Sequence, residues 1–179
     1  GRHCVIGEPT SLKPIRMHKG IFMEGIRLTG LSGHSSNPGL GNNALEGMHS
    51  VISELIDWRT ELQSKFQNPA FEVQVPTLNF GHIHGGDNPN RICGHCEMHI
   101  DLRPLPGMAI DELREDMHKR LNLRIADSGL RIEYLPLFDG IPAMETDGDA
   151  AIVKVTEKLT GYISQAVAFG TEGPYLNNM

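Results

Sequence analysis

The sequence predicts an α+β fold built around a ferredoxin-like, split β-α-β unit. Residues 21–135 contain segments in the order strand, helix, strand, strand, helix, strand, which is the order of that unit. Residues 91–103 alternate apolar and polar side chains, as a half-buried strand does. Residues 140–179 differ, because a helix, a short strand and a glycine-flanked turn indicate part of a separate α/β sheet. We expect one four-stranded antiparallel sheet with two helices on one face, flanked by pieces of a second domain.

The two helices of the split unit have the clearest signals. The segment 43–64 repeats apolar residues at three- and four-residue spacing, and Asn43 with Glu46 three positions later resembles a capping box. The segment 110–125 has a shorter apolar stripe and stops before Ser128-Gly129. The side chains expected to face inward from the first helix are Leu45, Met48, Val51 or Ile52, Leu55, Trp58 and Leu62.

The strands are predicted from short apolar or alternating runs bounded by turn residues. Pro76 is expected at a bulge or an edge, since proline donates no ladder hydrogen bond. The strands of the split unit are expected at 21–29, 71–84, 91–103 and 130–135.

The flanking segments are expected to belong to the second domain. A buried strand is predicted at residues 3–8, a helix near 147–160 and a strand at 166–169. The expected division is therefore residues 1–19 and 139–179 for pieces of a catalytic domain, and 20–138 for an inserted domain. Because predicted elements start or stop at the chain ends, we expect an internal fragment.

Composition excludes several classes of function. The 179 residues are 39% hydrophobic and 21% charged, which is typical of a globular protein rather than a disordered one. The formal net charge of −6 disfavours nucleic acid as a partner, and no apolar run approaches a membrane span. The three cysteines are odd in number and widely placed, so a disulfide framework is not expected and the cytoplasm is the simplest compartment.

Two residues near predicted strand ends could carry chemistry. Glu8 lies at the carboxyl end of the predicted strand 3–8, and α/β folds place ligands at such ends, where a carboxylate suits zinc. The alternative is a turn carboxylate that caps a backbone N–H. His34 lies between Gly33 and two serines, where an exposed imidazole could stabilise an oxyanion. The alternative is a loop histidine without a role.

Two further segments could bind an anion. Arg103 lies near the far end of the strand that follows Asn90, and an arginine on a polar strand face can hold a carboxylate in a bidentate manner. The alternative is a surface salt bridge of little energetic value. Thr171 lies in the glycine-flanked turn 170–173, whose backbone N–H groups could bind an anion at a helix N-terminus.

A cluster of histidines and cysteines offers a rival hypothesis, a structural zinc site. Cys93 and Cys96 have the spacing of such sites, but a structural site normally holds its two cysteines on a tight turn. Within an alternating strand, a spacing of three sends the two thiols to opposite faces, which argues against zinc here. The other members of the cluster are His82, His84, His95 and His99.

Six short motifs follow one another along the chain. They are Gly-Glu-Pro-Thr, His-Lys-Gly, Gly-His-Ser-Ser, Gly-His-Ile-His-Gly-Gly, Asn-Arg-Ile-Cys and Asp-Leu-Arg-Pro-Leu-Pro-Gly. In this order they resemble the two-zinc aminoacylase and carboxypeptidase family, and the resemblance spans nearly the whole chain.

The resemblance implies roles for five residues and a homodimer formed by the inserted domain. It implies that Glu8 is a terminal zinc ligand and that His34 stabilises the oxyanion in the partner subunit's site. Asn90 and Arg103 match positions that bind the substrate carboxylate, with Asn90 acting across the dimer. Thr171 matches a substrate-contacting loop.

The rest of the family pattern has no counterpart in this chain. The other zinc ligands and the glutamate that acts as general base are missing, so we expect two zinc ions in the whole enzyme but none held by this chain alone. The implied substrate is a small acyl-amino acid, and the chain alone is expected to be inactive. A non-enzymatic module that dimerises or binds metal remains the alternative.

Overall fold

The computed structural model describes residues 3–177 and contains two β-sheets. Residues 1, 2, 178 and 179, at the outer ends of the two expected flanking pieces, lie outside the described residues. The elements are β1 (Ile15–His18), β2 (Ile21–Thr29), a 3-10 turn (Pro38–Leu40), α1 (Ala44–Lys65), β3 (Thr77–Gly85), β4 (His95–Arg103), α2 (Ile110–Ile125), β5 (Arg131–Ile141), β6 (Met144–Glu145), α3 (Ala151–Thr160), β7 (Gln165–Val167) and α4 (Gly173–Asn177).

The larger sheet confirms the predicted fold class. Its strands follow the order β3-β4-β2-β5, and each neighbouring pair is antiparallel. On β4 the even-numbered side chains are buried beneath the helices and the odd-numbered ones are not, as the alternation predicted. The core between this sheet and the helices includes Phe22, Ile26, Leu28, Met98, Ile100 and Leu102.

Helix α1 covers the sheet with the predicted stripe, apart from its first member. The Asn43 side chain accepts a hydrogen bond from the Leu45 N–H, which satisfies one of the free donors at the helix start. Leu45 itself is 42% exposed, so its predicted inward position is wrong. Helices α1 and α2 are joined by Trp58, whose Nε1 donates to Asp116 Oδ2 over 2.8 Å.

Three predicted strand boundaries need correction. Residues 71–76 precede β3 as a turn in which Phe71 and Pro76 are buried, since this segment packs against the core instead of joining the ladder. Residues 91–94 precede β4, because Arg91 and Ile92 pair with a different segment, the loop around His34. Strand β5 continues to Ile141, which pairs with Ile21.

The predicted strand 3–8 is wrong, and β1 takes the place expected for it. The smaller sheet has the order β6-β1-β7, in which β1 is antiparallel to β6 and parallel to β7. Residues 3–8 pair with no strand among residues 3–177, and Val5 is 68% exposed. An apolar run forms a strand only where a neighbouring backbone completes its hydrogen bonds.

The two sheets meet at the short link Lys19-Gly20 between β1 and β2. Gly20 donates its N–H to the Pro104 carbonyl over 2.9 Å, and Lys19 donates its N–H to the Val167 carbonyl over 3.2 Å. A Cβ on Gly20 would lie 2.7 Å from Pro104 Cγ and 2.9 Å from backbone atoms of Ile141 and Ala143, so only glycine fits. This link holds the end of β4 beside the smaller sheet.

Helix α3 starts later than predicted. Asp147 caps the preceding turn, since its side chain accepts from the Asp149 N–H and its carbonyl from the Ala150 N–H. The helix ends at Gly161, which has a left-handed φ of 74°. Among residues 3–177, no helix combines the length and the apolar character that crossing a membrane requires.

Candidate functional site

The loop that holds His34 is fastened to the segment that holds Asn90. His34 and Arg91 form an isolated antiparallel bridge. The Ser35 N–H donates to the Asn90 carbonyl over 2.9 Å, and the Ile92 N–H donates to the Gly33 carbonyl over 2.8 Å. The structure therefore brings two of the predicted site residues together, although they are 56 positions apart in the sequence.

A close backbone crossing supports this loop. Gly30 donates its N–H to the Gly94 carbonyl over 2.9 Å, and Leu31 pairs with Asn42. A Cβ on Gly30 would lie only 2.1 Å from the Asn42 carbonyl oxygen, and one on Gly94 would lie 2.3 Å from Ser32 Oγ. Only glycine allows the backbones to approach this closely, so these positions set the base of the loop.

The hydrogen bonds of His34 favour one tautomer of its ring. Nδ1 accepts a hydrogen bond from the Ser36 N–H over 3.2 Å, and it lies 2.8 Å from Ser36 Oγ. A neutral imidazole that accepts at Nδ1 has its proton on Nε2. Because the side chain is exposed, Nε2–H is available to donate to a group outside this loop.

Asn90 is held through its backbone, which leaves its side chain exposed. Its N–H donates to Asn88 Oδ1 over 3.1 Å, and the Asn88 carbonyl accepts from the Arg91 N–H over 3.0 Å. Such an Asx turn fixes the backbone without using the amide of the second residue. The Asn90 carboxamide can thus bind an anion or a polar group that approaches this end of the sheet.

Arg103 lies at the opposite end of the same sheet. It is the last residue of β4, and its Nε donates to Asp101 Oδ2 over 3.0 Å. β4 has nine residues, and at about 3.3 Å per residue it is roughly 26 Å long. The structure therefore does not bring Arg103 near His34 and Asn90 of the same chain.

Thr171 lies near the junction of the two sheets, on the Arg103 side of the molecule. Its N–H is 3.4 Å from Nε2 of His18, and its Oγ1 accepts from the Gly173 N–H over 3.1 Å. Its neighbour Gly170 packs closely on Ile21, next to the link between β1 and β2. The turn that was predicted at 170–173 is thus tied to β1.

His18 is a residue of this region to which sequence analysis assigned no role. It is fully buried, and its Nδ1 lies 2.8 Å from the Lys19 carbonyl, to which it donates. Nε2 then accepts from Thr171. Burial lowers the pKa of His18, so the neutral ring that this arrangement needs is favoured. The only sequence signal was the His-Lys-Gly motif.

Glu8 belongs to an irregular segment that precedes both sheets in the chain. It is exposed in the segment before β1, where its N–H donates to the Ile6 carbonyl over 3.1 Å. Between residues 3 and 177, no three or more His, Cys, Asp or Glu side chains are grouped so that they could hold a metal ion. A single exposed carboxylate does not form the two-zinc site that the resemblance implies.

The cysteines of the rival zinc hypothesis are both buried. Cys96 lies on the helix-covered face of β4, while Cys93 precedes the strand, so the strand alternation used in the prediction applies only to Cys96. Burial raises the pKa of the Cys96 thiol to about 11. The thiolate that zinc requires is therefore disfavoured at neutral pH.

Comparison with known proteins identifies relatives of this chain. The family described as peptidase dimerisation domain matches residues 16–127. The acetylornithine deacetylase of Edwardsiella ictaluri is 48% identical over 176 residues, which cover 98% of this chain and 46% of that protein. That of Vibrio cholerae is 49% identical over 177 residues, which cover 99% and 47%. The chain thus spans just under half the length of these relatives.

Solved structures share the fold at low sequence identity. A tripeptidase of Staphylococcus aureus has a TM-score of 0.68 at 16% identity, with 93% of this chain and 43% of that chain covered. A hydantoinase/carbamoylase family amidase of Burkholderia ambifaria has a TM-score of 0.64 at 16% identity, with 88% and 37% covered. These similarities support the α+β architecture described above.

Proposed function

Because this chain belongs to the peptidase dimerisation domain family, we propose that it is the dimer-forming part of a metal-dependent amide hydrolase. The proposed reaction removes the acetyl group from N-acetylornithine, a step of arginine biosynthesis. This proposal is supported by the 48% and 49% sequence identity to two acetylornithine deacetylases, which extends over nearly the whole chain. The observation that carries the assignment of roles is the separation of the candidate residues into two groups at opposite ends of one sheet.

That separation favours a site shared between two subunits. His34 and Asn90 are joined at one end, and Arg103 lies beyond the roughly 26 Å length of β4. A small acyl-amino acid is much shorter than β4, so one substrate cannot contact both groups of a single chain. If all these residues act on one substrate, a homodimer must supply them from two copies.

Each group has a chemical role in this proposal. His34 donates its Nε2–H to the oxyanion that develops on the amide carbonyl, in the site of the partner subunit. Asn90 binds the substrate carboxylate from the same side. Arg103 binds that carboxylate from the other subunit, and Thr171 contacts the substrate from the loop that His18 holds.

The metal is proposed for the longer protein only. Two zinc ions would activate water and polarise the amide, and Glu8 would be one terminal ligand. The residues that the structure describes do not fit a two-metal centre by themselves, so the remaining ligands would come from the rest of the longer protein. Extensive dialysis of this chain is expected to leave no tightly held zinc, and two retained ions per chain would contradict that.

Two other assignments are part of the proposal. Residues 20–138 would be the inserted domain, and the flanking residues 1–19 and 139–179 would belong to the catalytic domain. The cytoplasm is the proposed compartment, because Cys4, Cys93 and Cys96 are all free thiols.

A chimeric enzyme tests the proposed activity. The chain would replace the matching segment of the Vibrio cholerae relative, and the purified chimera would be supplied with zinc. We expect hydrolysis of N-acetylornithine to be faster than that of N-succinyl-diaminopimelate. The reverse order would assign the chain to a related acyl-amino-acid hydrolase, and a folded, zinc-loaded, dimeric chimera without activity on either compound would favour a non-enzymatic module.

A further inference from the structure

On β3 and β4, the face of the larger sheet that the helices do not cover is polar and rich in histidine. On β4 it presents alternate residues from His95 to Arg103, and on β2 it presents Arg27. Glu97 is held there by Arg27, whose Nε lies 2.9 Å from Glu97 Oε2. The proposed activity uses only Arg103 from this face, at one end of the sheet.

A β-bulge brings His82 onto this open face. Leu78 and Phe80 of β3 pair with Leu102 and Ile100 and pack against the helix-covered core. Regular alternation would send His82 to the same covered face. The register shifts between Phe80 and His82, so that His82 lies opposite His99 instead. The extra residue at Gly81 thus re-aims the histidine.

His82 and His99 form a cross-strand pair of imidazoles. Their ring centroids are 4.7 Å apart, with an angle of 39° between the ring planes. The ring of His82 is exposed, and neither of its nitrogens has a hydrogen-bond partner within residues 3–177. Two imidazoles at this separation can both reach one ion, because a zinc–nitrogen bond is about 2.0–2.1 Å.

Glu97 prepares His99 to act as a ligand. Its Oε1 accepts a hydrogen bond from His99 Nε2 over 2.8 Å, so in the neutral ring Nε2 has the proton and Nδ1 has a free lone pair. A carboxylate that orients a histidine in this way is the usual outer partner in protein metal sites, where it raises the basicity of the ligand. His99 is therefore oriented by Glu97 before any ion binds.

We propose that His82 and His99 form a binding site for one divalent transition-metal ion on the open sheet face, with water completing its coordination. Neutral imidazole is a suitable ligand for zinc and for neighbouring metals of the first row. With two protein ligands, the ion exchanges readily and is lost on dialysis, unlike the ions of a closed structural site. This site is separate from the two-zinc centre of the proposed function and does not depend on it.

His84 offers a matched control on the same strand. It is also exposed, but the residue opposite it is Glu97, which is already engaged by Arg27 and His99. His84 thus has no second imidazole across from it. Substituting His84 removes one exposed histidine of β3 and leaves the proposed pair intact.

Titration of the full 179-residue chain with Zn²⁺ near neutral pH tests the site, with calorimetry for stoichiometry and imidazole NMR signals for location. We expect one ion per chain, and the ring signals of His82 and His99 to shift together along one saturation curve. His82→Asn and His99→Asn should each weaken binding by at least about 10-fold, and Glu97→Gln by roughly 10-fold. His84→Asn should leave the affinity unchanged.

Folding of the variants is checked by their near-UV circular dichroism and thermal midpoints. His82 is exposed on an edge strand, so its variant keeps the core unchanged. Equal weakening by His82→Asn and His84→Asn would overturn the proposal. It would also be overturned if the His82 and His99 signals did not move, or if they saturated at different Zn²⁺ concentrations.

Discussion

The Ser35 N–H donates a hydrogen bond of 2.9 Å to the carbonyl oxygen of Asn90. This bond joins the loop after β2 to the segment before β4, and it makes the positions of His34 and Asn90 depend on each other. Neither side chain is used in the attachment of the two segments. Both therefore remain available to a ligand that approaches this end of the sheet from another molecule.

Replacement of Gly30 should destabilise the fold beneath this loop. Gly30→Ala places a methyl group 2.1 Å from the Asn42 carbonyl oxygen, which is backbone and cannot rotate away. We expect a loss of about 1–3 kcal/mol in the free energy of unfolding, measured by urea titration. Gly39→Ala is the control, since its new methyl group would meet nothing closer than 3.5 Å. Equal stability of the two variants would show that the crossing is looser than described.

Two leucines of α1 test which of its apolar side chains pack in the core. Leu55 is fully buried, and Leu55→Ala should lower the free energy of unfolding by about 2–5 kcal/mol because it leaves a cavity. Leu45 is 42% exposed, and Leu45→Ala should change it by no more than about 0.5 kcal/mol. Chemical denaturation of both variants provides the comparison. A cost at Leu45 similar to that at Leu55 would restore the prediction that Leu45 faces the core.

His18 should make stability depend on pH in a defined direction. Burial lowers its pKa below the ordinary value of 6.5, so below that pH the unfolded chain binds a proton that the folded chain does not. The contribution is fully present above pH 6.5, and it is lost as the pH falls through the lowered pKa. We expect the free energy of unfolding to fall as the pH decreases through this window.

The test compares the pH dependence of two histidine variants with that of the unaltered chain. His18→Gln removes the titrating group, so its stability should decrease less steeply below about pH 6.5. His49→Gln removes an exposed histidine of α1 and should leave the slope unchanged. Urea titrations at several pH values measure the slopes. The same slope for His18→Gln as for the unaltered chain would mean that His18 is not kept neutral by burial.

The proposed carboxylate-binding residues should affect substrate affinity in the chimeric enzyme. Asn90→Ala removes one hydrogen bond to a charged group, and we expect KM to rise by about 10-fold. Arg103→Lys keeps the charge but loses the bidentate geometry, so it should also raise KM. Initial-rate measurements separate KM from kcat, with Arg131→Lys as a control on the exposed β5 edge. Unchanged KM in both site variants would remove their proposed role.

The strongly periodic elements could be predicted from the sequence. Helix α2 was expected at 110–125 and spans Ile110–Ile125, and β2 was expected at 21–29 and spans Ile21–Thr29. In these segments the apolar residues recur at regular spacing. The elements that pack against them belong to the same predicted split β-α-β unit. Local pattern and tertiary packing therefore agree for them.

Strand β7 was expected at 166–169 and spans Gln165–Val167, but its partner β1 was not predicted. β1 has only four residues, and it is paired with β6 and β7, which lie more than 100 residues later. Residues 3–8 are more apolar, but they find no ladder partner within the described chain. Whether a segment forms a strand depends on the backbone segments that lie beside it in the fold. The local sequence of the segment does not identify those neighbours.

The site residues were recognised from motifs, and the resemblance also implied that His34 and Asn90 act across the dimer. The hydrogen bonds that join the segments of His34 and Asn90, and the separation of Arg103 from them along β4, emerge only from the fold. His18 was missed because its role depends on Thr171, at the other end of the chain. The bulge that re-aims His82 had no signal beyond Gly81 itself.

Subunit mixing tests the central claim, that one chain completes the site of another. His34→Ala and Arg103→Ala chimeras should each be nearly inactive, with kcat of the first lowered by about 100-fold or more. Each homodimer would lack one group in both of its sites. A heterodimer of the two would contain one site with both groups intact.

Co-expression of the two variants with different affinity tags allows the heterodimer to be isolated and its activity compared with that of the unaltered chimera. Our account predicts that a statistical mixture recovers about a quarter of full activity, and the purified heterodimer about half. Size-exclusion chromatography would confirm that each preparation is dimeric. A purified heterodimer no more active than the parent variants would contradict the claim, because it would place His34 and Arg103 in the same subunit's site.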